Sequence, residues 1–256
     1  MYDQGAGYGG CLGTGVVRLL PTLNGGRTGL TQEQAAAAGI EATSVVCVLD
    51  DKAHYYPGAS SFIVKLTAET ASRRILGIQV LGAGAVDKMV DIAVTGIYNG
   101  MKLDEFDTMD FAYAPPFSTA IHPFVTACYI LENKLDGVID SMSPSEYASG
   151  AAKEYTVLDA LPAPSIPNAR WIELPKVVEP VEGLDKDAKL LLVCAKGKRG
   201  YFLQNRLKAL GYTNTRVLEG GITFNEVRVP RGGKKLSPEE IKRVKALGCL
   251  QDKRYD

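Results

Sequence analysis

From Thr43 the apolar residues fall into three short runs, TSVVCVL (43–49), SSFIVKLTAE (60–69) and RRILGIQVLG (73–82). Each is rich in β-branched residues and is strand-like in length and period. Their connections hold Pro57-Gly58 and the polar stretch Glu69–Ser72, both turn-forming. Closely spaced strands with no helix between them predict an antiparallel meander. In VDKMVDIAVTGIYNGM, Met89, Ala93, Ile97 and Met101 form a helical stripe. After the rigid Pro115-Pro116, STAIHPFVTACYILENK predicts a second helix. Residues 39–134 thus read as an α+β layer, a meander plus helices.

Earlier, GTGVVRLL reads as a strand. TGLTQEQAAAAGI reads as a helix with Thr31 as N-cap, Gln34 three residues on, and Gly39 at its end. Residues 1–38 are taken as a lead-in segment and linker. GAGYGG (5–10) matches G-x-G-x-x-G but lacks the preceding strand and the later acidic residue of a dinucleotide site, so it reads as a flexible segment. Past LDGVIDSMSPSEY, a boundary, YTVLDAL, NARWIEL, KLLLVC and TRVLEGG are short strands alternating with loops and helical stretches. Residues 135–230 therefore read as α/β with a mainly parallel sheet. Residues 231–256 carry eight basic and four acidic side chains and read as a basic helical tail.

Charge narrows the function classes. The chain has 29 Lys+Arg and 29 Asp+Glu, so it shows no global basic footprint for nucleic acid. No long apolar run suggests a membrane span, and MYDQGAGYGG, without a basic start or an apolar stretch, is not expected to act as a signal peptide. Five scattered cysteines (Cys11, Cys47, Cys128, Cys194, Cys249) form neither a disulfide framework nor a zinc spacing. The expectation is a cytoplasmic protein without a metal, in which a special cysteine would be chemical.

Cys194 is that candidate. Leu190–Val193 form a buried-strand run; a loop with Lys196, Gly197, Lys198 and Arg199 follows; a helix is expected from near Gly200, with Leu203, Leu207 and Leu210 on one face. A thiol at a strand end, before a helix N-terminus and among cations, is favoured as thiolate. The other reading is a small core cysteine beside an ordinary basic turn.

Cys194-Ala195-Lys196-Gly197-Lys198-Arg199 resembles the C-x-x-G-x-R loop of rhodanese-like sulfurtransferases, as do Gly200-Tyr201 and Leu218-Glu219-Gly220-Gly221-Ile222. The resemblance implies that Cys194 carries a persulfide, that Arg199 assists it, and that the loop Ala195, Lys196, Gly197, Lys198 and Gly200 holds a small sulfur-containing donor. The related C-x5-R phosphatases have a longer loop; Arg199 comes one residue early for them. Asp159-Ala160-Leu161 and Ser165-Ile166-Pro167-Asn168-Ala169 lack the arginine and histidine usual in the sulfurtransferases.

GTGVVRLL, TGLTQEQAAAAGI, HYYPG, LGAGAVDKMVDIAVTGI and YAPPFSTAIHPFVTA resemble the dimerisation domain of pyridine nucleotide-disulfide oxidoreductases, in the branch of NADH oxidase, coenzyme A-disulfide reductase and persulfide reductase. That implies a homodimer, or docking to a flavoprotein partner, through residues 39–134. It also implies Tyr55 and Tyr113 at the subunit interface, near a partner's redox cysteine. His122-Pro123 is similar to the interface histidine of glutathione reductase-like enzymes; Ala127 stands where its acidic partner would be, so a structural histidine at a helix N-terminus is expected. The resemblance places the FAD and NAD(P)H domains upstream of Met1, with no cofactor site in this chain, so the chain is expected to be the C-terminal half of such an enzyme: a fragment, a truncated reading frame or a split subunit. Three functions follow: sulfane-sulfur transfer through Cys194 coupled to a flavin-dependent reductase, a non-catalytic interaction and dimerisation module, or part of an FAD/NAD(P)H-dependent disulfide reductase.

Overall fold

A computed structural model describes residues 11–229. The GAGYGG segment and the basic tail lie outside the described residues.

The first domain is built on a sheet of β1 (Gly15–Leu20), β2 (Leu23–Gly29), β3 (Ala42–Asp50), β4 (Ser61–Glu69) and β5 (Ile75–Gly82), in the order β1-β2-β5-β4-β3. Every pairing is antiparallel. The three predicted runs form the meander β3-β4-β5. The reading of 1–38 as a linker is corrected: β2 pairs with β5 from Asn24↔Gly82 to Gly29↔Gly77. β2 carries no apolar alternation because glycines occupy the positions covered by a helix. A Cβ on Gly26 would press on Val86 and Val90, so period-2 reading misses the strand.

The helix α1 (Gln32–Ala37) is capped as expected, with Thr31 and Gln34 in a reciprocal capping box. α2 (Val86–Tyr98) buries Met89, Val90 and Ala93. α3 (Pro123–Leu135) buries Phe124, Ala127, Cys128 and Leu131. Both pack on the face that β4 supplies with Phe62, Val64, Leu66 and Ala68, the alternation of a sheet with one face on a core. α3 starts five residues later than the expected helix. Pro123 pre-sets φ at the first helical position, while the pre-proline His122 stays extended at φ −57°, ψ 139°.

The second domain holds β6 (Ser141–Met142), β7 (Thr156–Asp159), β8 (Arg170–Trp171), β9 (Leu190–Val193) and β10 (Thr215–Leu218), ordered β6-β10-β9-β7-β8 and parallel throughout. β9 is buried on both faces: Leu190 and Leu192 join Leu203, Leu207 and Tyr212, whereas Leu191 and Val193 join Val157, Met142 and Leu218. This explains the unbroken LLLV. The short helices are α4 (Pro144–Ala148) and α6 (Gly221–Phe224); the long one is α5 (Lys198–Ala209). β6 falls inside the stretch read as a boundary, and two residues are too few to show a period.

Candidate active site

Cys194 follows directly on β9, the central strand, at its carboxyl end, where α/β sheets place their sites. α5 begins at Lys198, two residues before the expected Gly200, because Gly197 takes φ +103° and acts as its N-cap. That left-handed backbone is open to glycine. The turn brings the Gly197 amide to Cys194, donating to Sγ at 3.1 Å. Sγ therefore sits at the N-terminal end of α5, against the amide of its N-cap residue, a setting that favours negative charge. Gly200 lets α5 approach the sheet: a Cβ there would lie 3.0 Å from Val217 and 3.3 Å from the Leu192 carbonyl.

The other side of the loop is held by α6. The amides of Ile222 and Thr223 donate to the carbonyls of Cys194 (3.0 Å) and Ala195 (3.1 Å). Gly221, at φ +52°, touches both carbonyls so closely that a Cβ would collide with them. The LEGG block thus supports the loop by backbone contact. Asp159, at the end of β7, accepts from the amides of Leu161 (2.9 Å), Ser165 (2.7 Å) and Ile166 (2.9 Å). This shapes the segment that lacks the arginine and histidine. Arg199 donates from Nε to the Ala160 carbonyl at 2.7 Å, joining that segment to the Cys194 loop.

The loop cations separate. Lys198 lies over the Phe202 ring, 5.9 Å from its centroid. Lys196 turns to the first domain, ion-paired with Asp50 and donating to Ser61 Oγ at 2.8 Å. A second cross-domain contact centres on Glu219, whose carboxylate accepts from the Val46 amide (2.8 Å), Lys134 Nζ (2.6 Å) and Ser141 Oγ (2.7 Å). The two domains therefore meet directly beside the Cys194 loop.

Cys194 is 2% exposed. Cys47 and Cys128 are also buried, in the first core, where desolvation pushes both thiols well above their ordinary range. Tyr55 and Tyr113 lie on the surface of the first domain, and no hydrogen bond among the described residues ties either to the loop. His122 caps α3: its Nδ1 accepts from the Phe124 amide at 3.2 Å, and its ring stacks on Phe111. Burial, then the charge of Lys88, lowers its pKa to about 4. It is the structural helix-end histidine expected. The sequence reading missed Asp50 and Lys134 as parts of the site's setting. Glu219 stands in the LEGG block, but nothing local signals that its partners lie across a domain boundary.

Residues 21–124 match the pyridine nucleotide-disulphide oxidoreductase dimerisation domain, and residues 129–223 match the rhodanese-like domain. The chain is a dimerisation domain of that oxidoreductase class followed by a rhodanese-like domain. In sequence it is 31% identical over 123 residues to the CoA-dependent NAD(P)H sulfur oxidoreductase of Pyrococcus furiosus, which covers 48% of this chain and 27% of that protein. In structure it resembles the NAD-dependent persulfide reductase of A. fulgidus (TM-score 0.78, 31% identity, 86% of this chain and 40% of that one). It also resembles reduced Bacillus anthracis CoADR-RHD (TM-score 0.77, 27% identity, the same coverage). The chain spans less than half the length of these relatives.

Proposed function

We propose that this chain transfers sulfane sulfur through a persulfide on Cys194, as the sulfur-handling part of a flavin-dependent disulfide or persulfide reductase. The observation that carries this is the Gly197 amide donating to Sγ in a loop clamped by α5 and α6. Loop amides there can receive charge without reorganising. The Cys194 thiolate attacks the sulfane sulfur of a small donor. A new S–S bond forms at Sγ, the donor's S–S bond breaks, and its remaining sulfur leaves with the electron pair, as sulfite from thiosulfate or as a thiolate from an organic persulfide. A dithiol then discharges the persulfide: one thiolate takes the outer sulfur and regenerates Cys194. The second thiol closes the disulfide and releases that sulfur as hydrogen sulfide. Arg199, held by Ala160, is the proposed anion partner beside the thiol.

FAD and NAD(P)H would supply the electrons that restore that dithiol. The described residues do not fit either cofactor. The first sheet is antiparallel throughout, and the central strand of the parallel sheet leads into the Cys194 loop rather than a glycine fingerprint. They belong in this proposal to a flavoprotein moiety reached through the first domain, by homodimerisation or by docking, with Tyr55 and Tyr113 as the residues that meet it. Exposed Val16, Val17, Leu19, Leu20, Tyr98 and Phe117 give that domain ample apolar surface for association. A cytoplasmic setting, where thiols stay reduced, suits the chemistry. Among the described residues no helix is long and apolar enough to cross a membrane.

The test is intact-protein and peptide mass spectrometry after incubation with thiosulfate or polysulfide. The expected result is one added sulfur on Cys194, removed by dithiothreitol. Sulfur on another cysteine and none on Cys194 overturns the assignment. The deep burial of Cys194 motivates a second reading, a non-catalytic interaction module; equal transfer rates for wild type and Cys194→Ser would favour it.

A further inference from the structure

The Cys194 loop carries three cations, Lys196, Lys198 and Arg199, yet one of them is committed elsewhere. Lys196, two residues past the thiol, is paired with Asp50 and donates to Ser61 Oγ at 2.8 Å. Its acceptors belong to the first domain, 146 and 135 residues away in sequence. They are also preorganised. Asp50 ends β3, Ser61 opens β4, and the two are direct partners in the antiparallel register. Ser61 Oγ lies 3.3 Å from the Asp50 carboxylate. The cross-strand register thus places two acceptors, a carboxylate and a hydroxyl, side by side for one ammonium group.

The electrostatic consequence is specific. A loop with three uncompensated cations would favour compact dianions such as thiosulfate. Asp50 neutralises one of these cations by pairing with it. Discrimination between ligands follows as much from such an opposing charge as from attractive contacts. We propose that Asp50 is a specificity-determining residue of the sulfur site. By holding Lys196, it biases Cys194 against small dianionic donors and toward donors of lower charge, the alkyl persulfides. The donor class rests on Cys194 being the sulfur acceptor; the charge effect on its thiol does not.

The field at the thiol can be read without sulfur transfer. Iodoacetate and iodoacetamide both alkylate a thiolate, the sulfur displacing iodide, but only the first is anionic. The Cys194 rate ratio, iodoacetate over iodoacetamide, is measured by peptide mass spectrometry on the full chain. Asp50→Asn should raise it by about threefold or more at low salt, and by less at high salt. Adding Lys196→Met to Asp50→Asn should remove the gain, and Asp50→Glu should keep the wild-type ratio. A merely structural role for Asp50 changes both rates alike and leaves the ratio fixed. An unchanged ratio in Asp50→Asn, a gain that survives Lys196→Met, or no alkylation of Cys194 by either reagent overturns the inference. Thiosulfate loading measured in parallel separates the two proposals. Loading with a fixed ratio sinks the role of Asp50 alone; a shifted ratio without loading by any donor sinks the transfer function alone.

Discussion

Lys134 and Glu219, 85 residues apart in sequence, meet at 2.6 Å across the junction of the two domains. Glu219 is almost completely buried and also accepts from the Val46 amide and the Ser141 hydroxyl. The same residue precedes the two glycines that turn into α6, whose amides hold the Cys194 and Ala195 carbonyls. Domain docking and loop support thus share one short segment.

Removing one member of such a pair strands the other charge and the backbone donor. Glu219→Ala should destabilise the second domain by about 3 kcal/mol. Trp171, the only tryptophan, reports unfolding of that domain in urea. The apolar pair Lys134→Met with Glu219→Leu should recover part of the loss, since no charge is then left unpaired while the Val46 amide and Ser141 hydroxyl still lack their acceptor. A single variant as stable as wild type would show that the network carries no such weight.

Gly221 sits at φ +52° against the carbonyls of Cys194 and Ala195. Gly221→Ala adds a left-handed backbone penalty of roughly 1–2 kcal/mol and a clash that the loop must relieve by moving. Sulfur loading of Cys194 should fall by at least about tenfold, while circular dichroism of the chain stays near wild type. Gly39→Ala, where no neighbour lies near the added Cβ, is the control; it should leave loading unchanged.

His122 contributes a pH dependence of defined sign. Its folded pKa is about 4, below the ordinary 6.5, because the buried ring resists charging and Lys88 repels it. Below pH 6.5 the unfolded chain takes up a proton that the native state refuses. Stability is therefore lost as pH falls from about 6.5 to about 4, by at most roughly 3 kcal/mol. His122→Asn keeps a cap acceptor for the Phe124 amide and should flatten that acid limb in urea titrations between pH 7 and 4.

Burial raises the thiols of Cys47 and Cys128, whereas Cys194 receives an amide hydrogen bond. Native chain treated with a polysulfide at pH 8 should carry sulfur on Cys194 and none on Cys47 or Cys128. After unfolding in urea, all three should react at similar rates. Modification of Cys47 in the native state would contradict this.

Local pattern made much of this protein legible. Thr31 and Gln34 are spaced for a capping box, β3, β4 and β5 carry β-branched runs, and LLLV before Cys194 marks a strand covered on both faces. Each of these rests on interactions within a few residues or on a period a single element must satisfy. β2 escaped because its glycines serve a packing constraint set by α2, and α3 and α5 began elsewhere than expected because Pro123 and Gly197 set local backbone angles that apolar spacing does not record.

Apart from β2 and β6, the order of strands, the α+β and α/β classes of the two domains and the placing of a cysteine between a strand and a helix N-terminus were determined by the sequence itself, through periodicity, turn residues and the C-x-x-G-x-R block. Only the tertiary structure decided what the loop's side chains do. It sends Lys196 to Asp50, Arg199 to Ala160 and Glu219 to Lys134. Those partners are 39 to 146 residues away, and pairing at such separation leaves no periodic trace in the chain, because it depends on how separately patterned elements and domains come together.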